Sequence, residues 1–439
     1  MGLALKKIRL YKTRLLRGCI IGFIISVVVT MLSLLGHFKP YENQLTDFLQ
    51  TFTHKKVNDV VLLFITEKEY KEGFGGISPL SRSRLADMIH TLVKLKAKVI
   101  ALDLTIADQT NEDPKLSEAL ALASAAGIPV VVIGNLKEVD DTFIKGGDPP
   151  EDFLPYKDER VTFSKEDFLL FEDINPGSQW LNQVMYGGVI FRLDRDGVLR
   201  QAETIYMVKG YGTRTSFRPV PSFPLAVVSA YLGRSQVELE KAFANSRNNR
   251  IILNRTETDG QYKMDIQLFK CGRITPNFVG NYRYFNHEVH LSRLLEDYGP
   301  GKPGGSTIFM GKIVIVGGVY DARDFYLTPV GRMSGMEILA NITQSILSDN
   351  LITHANFYKA FAFEVILGTI VALLFVLTTR FWATVVCFVA LVPAVTGASL
   401  LSFSTSYHWF DFIPTIAGVI LHGWVSKAEN RNERRRALL

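Results

Sequence analysis

The sequence predicts an α/β domain with a mostly parallel or mixed sheet, held outside the cytoplasm by four transmembrane α-helices. Three observations predict it. Apolar runs of bilayer-spanning length lie only near the two ends of the chain. Between them, short continuous apolar runs alternate with segments of helical periodicity, the order that builds a parallel sheet. Clusters of Lys and Arg flank the apolar runs on the sides that the positive-inside rule assigns to the cytoplasm.

Of the 439 residues, 47% are hydrophobic and 21% charged, so the overall balance is only mildly apolar. The apolar residues concentrate at the ends and leave an ordinary globular composition between them. A formal net charge of +6 would suit nucleic acid if the basic residues formed a stripe or patch. They sit instead beside the apolar runs, where they fix topology, and no nucleic-acid partner is expected. Of three cysteines, Cys19 and Cys387 fall in apolar segments and only Cys271 lies in the middle region. No disulfide framework is expected, and the middle domain is long enough to be held by its own core.

The run Gly18 to Gly36 is uncharged and nineteen residues long, close to a hydrocarbon core of roughly 30 Å at about 1.5 Å per residue. Lys6, Lys7, Arg9, Lys12, Arg14 and Arg17 precede it, and no acidic residue occurs before Glu42. The amino terminus is therefore read as cytoplasmic (residues 1–17), with a first span at 18–36. The run is longer than a signal-peptide core and lacks a small-x-small cleavage site, so it reads as an uncleaved anchor. Further spans are expected at 357–379, 381–403 and 410–425. The last holds only sixteen residues, short for a crossing. The basic tail, 426–439, with Lys427, Arg431, Arg434, Arg435 and Arg436, belongs in the cytoplasm, which requires an even number of crossings. Glu364 in the second span reads as an interfacial acid near Lys359 and Tyr358; a coupling or partner contact is the other reading.

Residues 37–356 form the extracytoplasmic domain. Val57 to Ile65 is a strand buried on both faces. Ser81 to Leu95 has helical spacing, with Ser81 or Ser83 as cap. Ala97 to Leu104 is a second strand, Pro114 to Ala126 a second helix, and Pro129 to Ile133 a third strand. This order places Asp103 near the carboxyl end of its strand, where open sheets bind ligands. Residues 136–180 read as an acidic, Pro- and Gly-rich excursion. Gly187 to Arg200 reads as two strands around an Asp-Arg-Asp-Gly turn, and Ser222 to Leu232 as a helix capped by Ser222. Gly311 to Gly318 reads as another buried strand, and Gly335 to Leu347 as a helix.

Chemical signatures are weighed against plainer readings. Gly317-Gly318 lacks the spacing of a phosphate loop and reads as a turn. Asp194-x-Asp196-Gly197 lacks the further ligands of a calcium loop. His287 and His290 lack a third zinc ligand at a defined spacing. No nucleophile elbow is present, and Cys271 has no base nearby in sequence. No enzyme activity, cofactor or metal is therefore expected. The candidate ligand-binding residues are Arg82, Asp103, Asp321 and Asp324, the last two just past a strand's carboxyl end, where turn-capping is the alternative.

Several segments in one order carry a resemblance: VVLLFITEKEY, PLSRSRLADMIHTLVKLKAKVIALDL, the Asp113-x-x-Leu116-x-x-Ala119-Leu120 helix, GGVIFRLDRDGVLRQ, PSFPLAVVSAYL, NFVGNYRYF and GKIVIVGGVYDARDFYLTPVGRMSGMEILANITQSIL. Over residues 41–355 the chain resembles the CHASE2 domain family, bacterial extracytoplasmic sensor modules preceded by one membrane helix and followed by three. The resemblance implies a multi-pass inner-membrane protein acting in signal transduction. Relatives usually continue into a kinase or cyclase, so a sensor subunit acting through an effector in trans is the expectation. The alternative is a scaffold subunit of an envelope complex that uses the ectodomain for docking. The expected partners are the lipid bilayer, a separate cytoplasmic effector or envelope proteins, and further copies of the chain.

Overall fold

In the computed structural model the chain divides into two compact units, Gln50–Leu351 and the paired segments Met1–Leu49 and Ile352–Leu439. Described residues are 2–51, 57–138, 170–174, 180, 182–209, 217–239, 250–257, 260–267, 272–285, 288–302, 306–320, 324–354 and 357–438. Cys271, His287, Asp321 and most of the 136–180 excursion lie outside them. Helices α1 (Gly2–Leu34) and α2 (Lys39–Gln50) open the chain.

The larger unit is an α/β layered domain. It runs β1 (Val60–Ile65), α3 (Arg82–Lys94), β2 (Val99–Asp103), α4 (Asp113–Ala125), β3 (Val130–Glu138) and β4 (Met185–Gly188). Then follow α5 (Phe223–Tyr231), β5 (Glu288–His290), α6 (Leu291–Tyr298), β6 (Ile313–Gly318) and α7 (Gly335–Leu347). The parallel core of the sheet has the order β5-β1-β6-β2-β3-β4. Strand β6 thus slots between two strands that precede it by some two hundred residues, pairing Val60 with Ile313 on one side and Val99 with Ile313 on the other.

The continuous apolar runs follow from burial on both faces. Val61, Leu63, Ile65, Ile100 and Leu102 pack under α3, α4 and α6, through Leu85, Ile89, Leu116, Leu120 and Leu294. Val60, Leu62, Phe64, Val99 and Ala101 pack under α5 and α7, through Phe223, Val227, Met336 and Leu339. Each large aliphatic side chain so buried contributes about 1.5–3 kcal/mol. Ser81 caps α3 by accepting from Arg84 N. Ser334 and Glu337 form a reciprocal capping box at α7, with Ser334 N and Oγ donating to Glu337 Oε2 at 2.7 and 2.8 Å.

Two expectations differ from what forms. Gly187 to Arg200 does not make two strands: β4 ends at Gly188, and Val189–Leu193 runs without regular structure to the turn. That turn closes through its backbone, Gly197 N donating to Asp194 O and Asp194 N to Val198 O at 2.9 Å each, and through Arg200, which donates to Asp194 and Asp196 at 2.9 and 2.8 Å. Ser222 occupies the first position before α5, but its hydroxyl makes no capping bond.

The smaller unit is helical. After the two-residue strand Thr353–His354 come α8 (Phe357–Leu377) and a long element, α9 (Arg380–Val386), a π-helical turn and α10 (Val392–Ser406). A second two-residue strand, His408–Trp409, pairs in parallel with the first, and α11 (Ile413–Leu438) closes the chain. Among the described residues, three helices are long and apolar enough to cross a membrane: Leu16–Leu34, Tyr358–Leu377 and Arg380–Ser406. The apolar segment expected at 410–425 does not begin as helix at Phe410. Asp411 Oδ1 accepts from Ile413 N at 3.1 Å, and Pro414 follows, so the helix starts at Ile413.

Helices α1 and α8 run antiparallel, with Gly18 beside Val376, Gly22 beside Gly368 and Ser26 beside Glu364. Helix α11 runs parallel to α8: Thr415 meets Glu364 and His422 stacks on Phe375 at 6.2 Å.

Candidate functional site

The carboxyl edge of the parallel sheet gathers the polar side chains of the α/β unit. Asp103 is the last residue of β2 and lies in register with Gly317 of β6. Gly317 has to be small here, because a Cβ on it would lie 2.7 Å from Met336 Sδ of α7. Asp324 follows β6 across a short loop. Its carboxylate rests against the first residue of α7, within 2.6 Å of where a Cβ on Gly335 would sit. The positive end of the helix dipole favours a negative charge there, and Gly335 N donates to Asp324 O at 3.0 Å.

Burial, and then the negative charge of Asp324, push the Asp103 carboxyl up to about 7. Asp103 therefore holds a proton more readily than an ordinary carboxyl, beside a second carboxyl. Such a pair can accept from an ammonium or hydroxyl group and can also donate one proton. Tyr70, in the segment after β1, stacks on Tyr320 at 4.3 Å on the same edge. Below them Glu69 anchors α6: Ser292 N donates to its Oε1 at 2.6 Å, and Thr66 N and Oγ1 donate to its Oε2. Burial opposes charge on Glu69, but these hydrogen bonds outweigh it and hold the carboxyl below its ordinary value.

The four residues singled out from sequence separate. Asp103 and Asp324 come together. Asp321 lies outside the described residues. Arg82 is fully buried and clamps the loop between β2 and α4, donating to Asp108 O at 2.8 Å and Leu80 O at 3.3 Å, with Asp113 at 3.5 Å. It is a positioning residue for the loop that follows Asp103, not part of the open edge. Among the described residues, no three His, Cys, Asp or Glu side chains converge as metal ligands would. Tyr70 and Tyr320 both lie in segments that carry the resemblance, but nothing local marks either as a site residue; only the pairing of β1 with β6 brings their loops together.

The helical unit carries its own titratable cluster, just before α8 and α11. Glu42 of α2 and Asp411 share a hydrogen bond. Burial, that bond and the charge of Asp411 raise Glu42 from 4.5 to about 9, against the pull of Lys39. His408 accepts from or donates to Thr353 Oγ1 at 2.7 Å, and burial lowers its basicity. A carboxyl whose folded value is raised binds more protons folded than unfolded between those two values, so stability falls as pH rises through that window. Melting of the detergent-solubilised chain should therefore decline between about pH 4.5 and 9. Asp411→Asn, which removes the repulsion, should flatten that slope; an unchanged slope would discard the shared-proton pair.

Glu364 corrects the interfacial reading. It is 9% exposed and sits inside the bundle, where Thr415 Oγ1 donates to its Oε1 at 2.8 Å. The reason is the antiparallel packing of α1 and α8, which turns its face towards α1 and α11 and not towards lipid.

A family model described as the CHASE2 domain matches residues 24–379 of the chain, from within α1 to just past the end of α8. No curated protein and no solved structure matches it.

Proposed function

We propose, from the premise that this chain belongs to the CHASE2 domain family, that it is a membrane sensor whose α/β unit binds a small ligand at the carboxyl edge of its sheet. The observation that carries this reading is the Asp103–Asp324 pair set against the N-terminus of α7. The chemistry of that pair suits a ligand bearing an amine or several hydroxyl groups. The α/β unit is covalently continuous with the helical unit at two places, near Gln50 and near Ile352, so a change in it can reach the helices through both connections. The output is then a small rearrangement delivered to a cytoplasmic effector, and this chain performs no catalytic step itself.

Four crossings complete this reading. Helix α11 is too short in its apolar part to count as a span by length and composition. Its direction parallel to α8, its buried Thr415, Val419 and His422, and its basic end support a fourth crossing. Both termini then lie in the cytoplasm and residues 37–356 outside it, in the inner membrane.

The test uses the full chain in lipid nanodiscs. Melting is followed across a collection of amines, polyols and amino acids, beside the Asp103→Asn and Asp324→Asn variants. The expected result is a compound that raises the wild-type melting temperature and loses its effect in both variants. A compound that stabilises all three proteins equally would place the ligand elsewhere. A stoichiometric complex with other envelope proteins after gentle extraction, with no stabilising compound, would favour the docking role instead.

A further inference from the structure

Inside the helical unit, four polar side chains from three helices line one cavity. Ser26 comes from α1, Glu364 from α8, and Thr415 and His422 from α11. All are buried, at 3%, 9%, 4% and 4% exposure. The remaining wall is apolar or glycine: Ile25, Val29, Leu367, Val371 and Gly418 among others. The free volume is about 10 Å³, room for one water-sized sphere, and polar cavities of that size hold water when partners are available.

The hydrogen bonding is incomplete in one informative place. Thr415 Oγ1 donates to Glu364 Oε1 at 2.8 Å, and Ser26 Oγ donates to the carbonyl oxygens of Gly22 and Glu364, both at 3.0 Å. His422 Nε2 is buried and has no hydrogen-bond partner, while the ring is held in place against Phe375. An unsatisfied buried ring nitrogen on a residue that lines a polar cavity costs about 1–3 kcal/mol unless water or a proton fills it. The sequence places Glu364 in the second expected span and His422 in the fourth; the packing brings both to one cavity, because His422 follows Thr415 by seven residues and so shares its face of α11.

We infer that this cavity takes up water and holds one exchangeable proton between Glu364 and His422. In one state the proton is on the Glu364 carboxyl and the imidazole is neutral. In the other, the carboxyl O–H bond breaks and an N–H bond forms at His422 Nε2, giving carboxylate and imidazolium. Atoms and net charge are the same in both states, so the exchange itself adds no net charge to the bundle, which the membrane interior would oppose by several kcal/mol. The two states differ in structure. A carboxylate accepts the Thr415 hydroxyl in a charge-assisted bond roughly twice as strong as a neutral one, so proton transfer to His422 tightens the tie between α8 and α11. Asp411, hydrogen-bonded to Glu42, is the other carboxyl whose charge acts on Glu364. No other cavity-lining residue is ionisable.

Infrared titration of the full chain in lipid nanodiscs tests this, and it does not depend on what the α/β unit binds. Asp103 and Glu42 also absorb as carboxylic acids, so the Glu364 band is read as wild type minus Glu364→Gln; that component should be present and move on transfer to heavy water. In His422→Gln and His422→Phe the band should persist but titrate with a midpoint displaced by about one unit or more, as coupled groups do. Gln keeps the bulk and polarity of the ring, so it reads the coupling even if Phe prevents assembly. No band lost in Glu364→Gln, a band insensitive to heavy water, or a midpoint unchanged in His422→Gln would each overturn the proposal.

Discussion

Gly368→Leu abolishes assembly of the helical unit. Between lipid-facing helices there is little hydrophobic drive to associate, so close backbone approach at small residues supplies the attraction. Here α1 offers Gly18, Gly22 and Ser26 at four-residue spacing to Gly368 and Ala372 of α8. A Cβ on Gly368 would come 2.1 Å from Ser26 Oγ, and one on Gly22 would come 2.8 Å from Gly368 O. Neither neighbour can retreat easily. Ser26 is bonded across to Glu364 O, and Gly368 O belongs to the α8 backbone. Leucine would force the helices apart, removing the Ser26 bond and the contacts beyond it, where even single overpacked methylenes cost about 1–3 kcal/mol. The purified variant is expected to lose its monodisperse elution peak and its cooperative melt. Gly368→Ala should lower melting measurably but less. Gly397→Ala, at a site with nothing within 4 Å, should match wild type, and a Gly368→Leu protein that does so too would refute the packing.

Arg82→Leu destabilises the α/β unit by about 3 kcal/mol, the scale of removing one partner of a buried pair. Its side chain is fully buried, and its guanidinium satisfies two backbone carbonyls as well as Asp113. Leucine fills part of the space but leaves Leu80 O and Asp108 O without their donor. Against a whole-domain stability of about 5–15 kcal/mol, that loss should shift the chemical denaturation midpoint clearly with the slope unchanged. The fraction that remains folded should bind whatever the Asp103 edge binds with wild-type affinity. A variant of normal stability but altered binding would return Arg82 to the ligand site.

These two residues show where reading the chain succeeds and where it stops. The strands of the parallel core are legible because a strand buried on both faces needs an unbroken apolar run, and Val60–Ile65, Val99–Asp103 and Ile313–Gly318 each supply one. The position of Asp103 at the end of its strand follows from the same local pattern. So do the three long apolar helices, since bilayer thickness dictates their length. The turn at Asp194–Gly197 is equally local, though its flanks are not strands.

What the chain could not disclose is which distant groups meet. That Asp324 raises Asp103 depends on β6 entering the sheet beside β2, a pairing between segments about two hundred residues apart. Arg82 stood among the candidate ligand-binding residues, and only the path of the β2–α4 loop, which brings Asp108 and Asp113 to it, encloses it. Glu364 looked interfacial from its neighbours in sequence, and the helix crossing set by Gly22 and Gly368 turned it inward towards Thr415 and the cavity that His422 also lines. Periodicity and length are written in adjacent residues, so the sequence by itself determined the α/β class, the three long apolar helices and the place of Asp103 at the carboxyl end of its strand. Strand order and helix contact are settled by packing across the whole chain, so only the tertiary structure decided which carboxyl faces which, and where the buried charges lie.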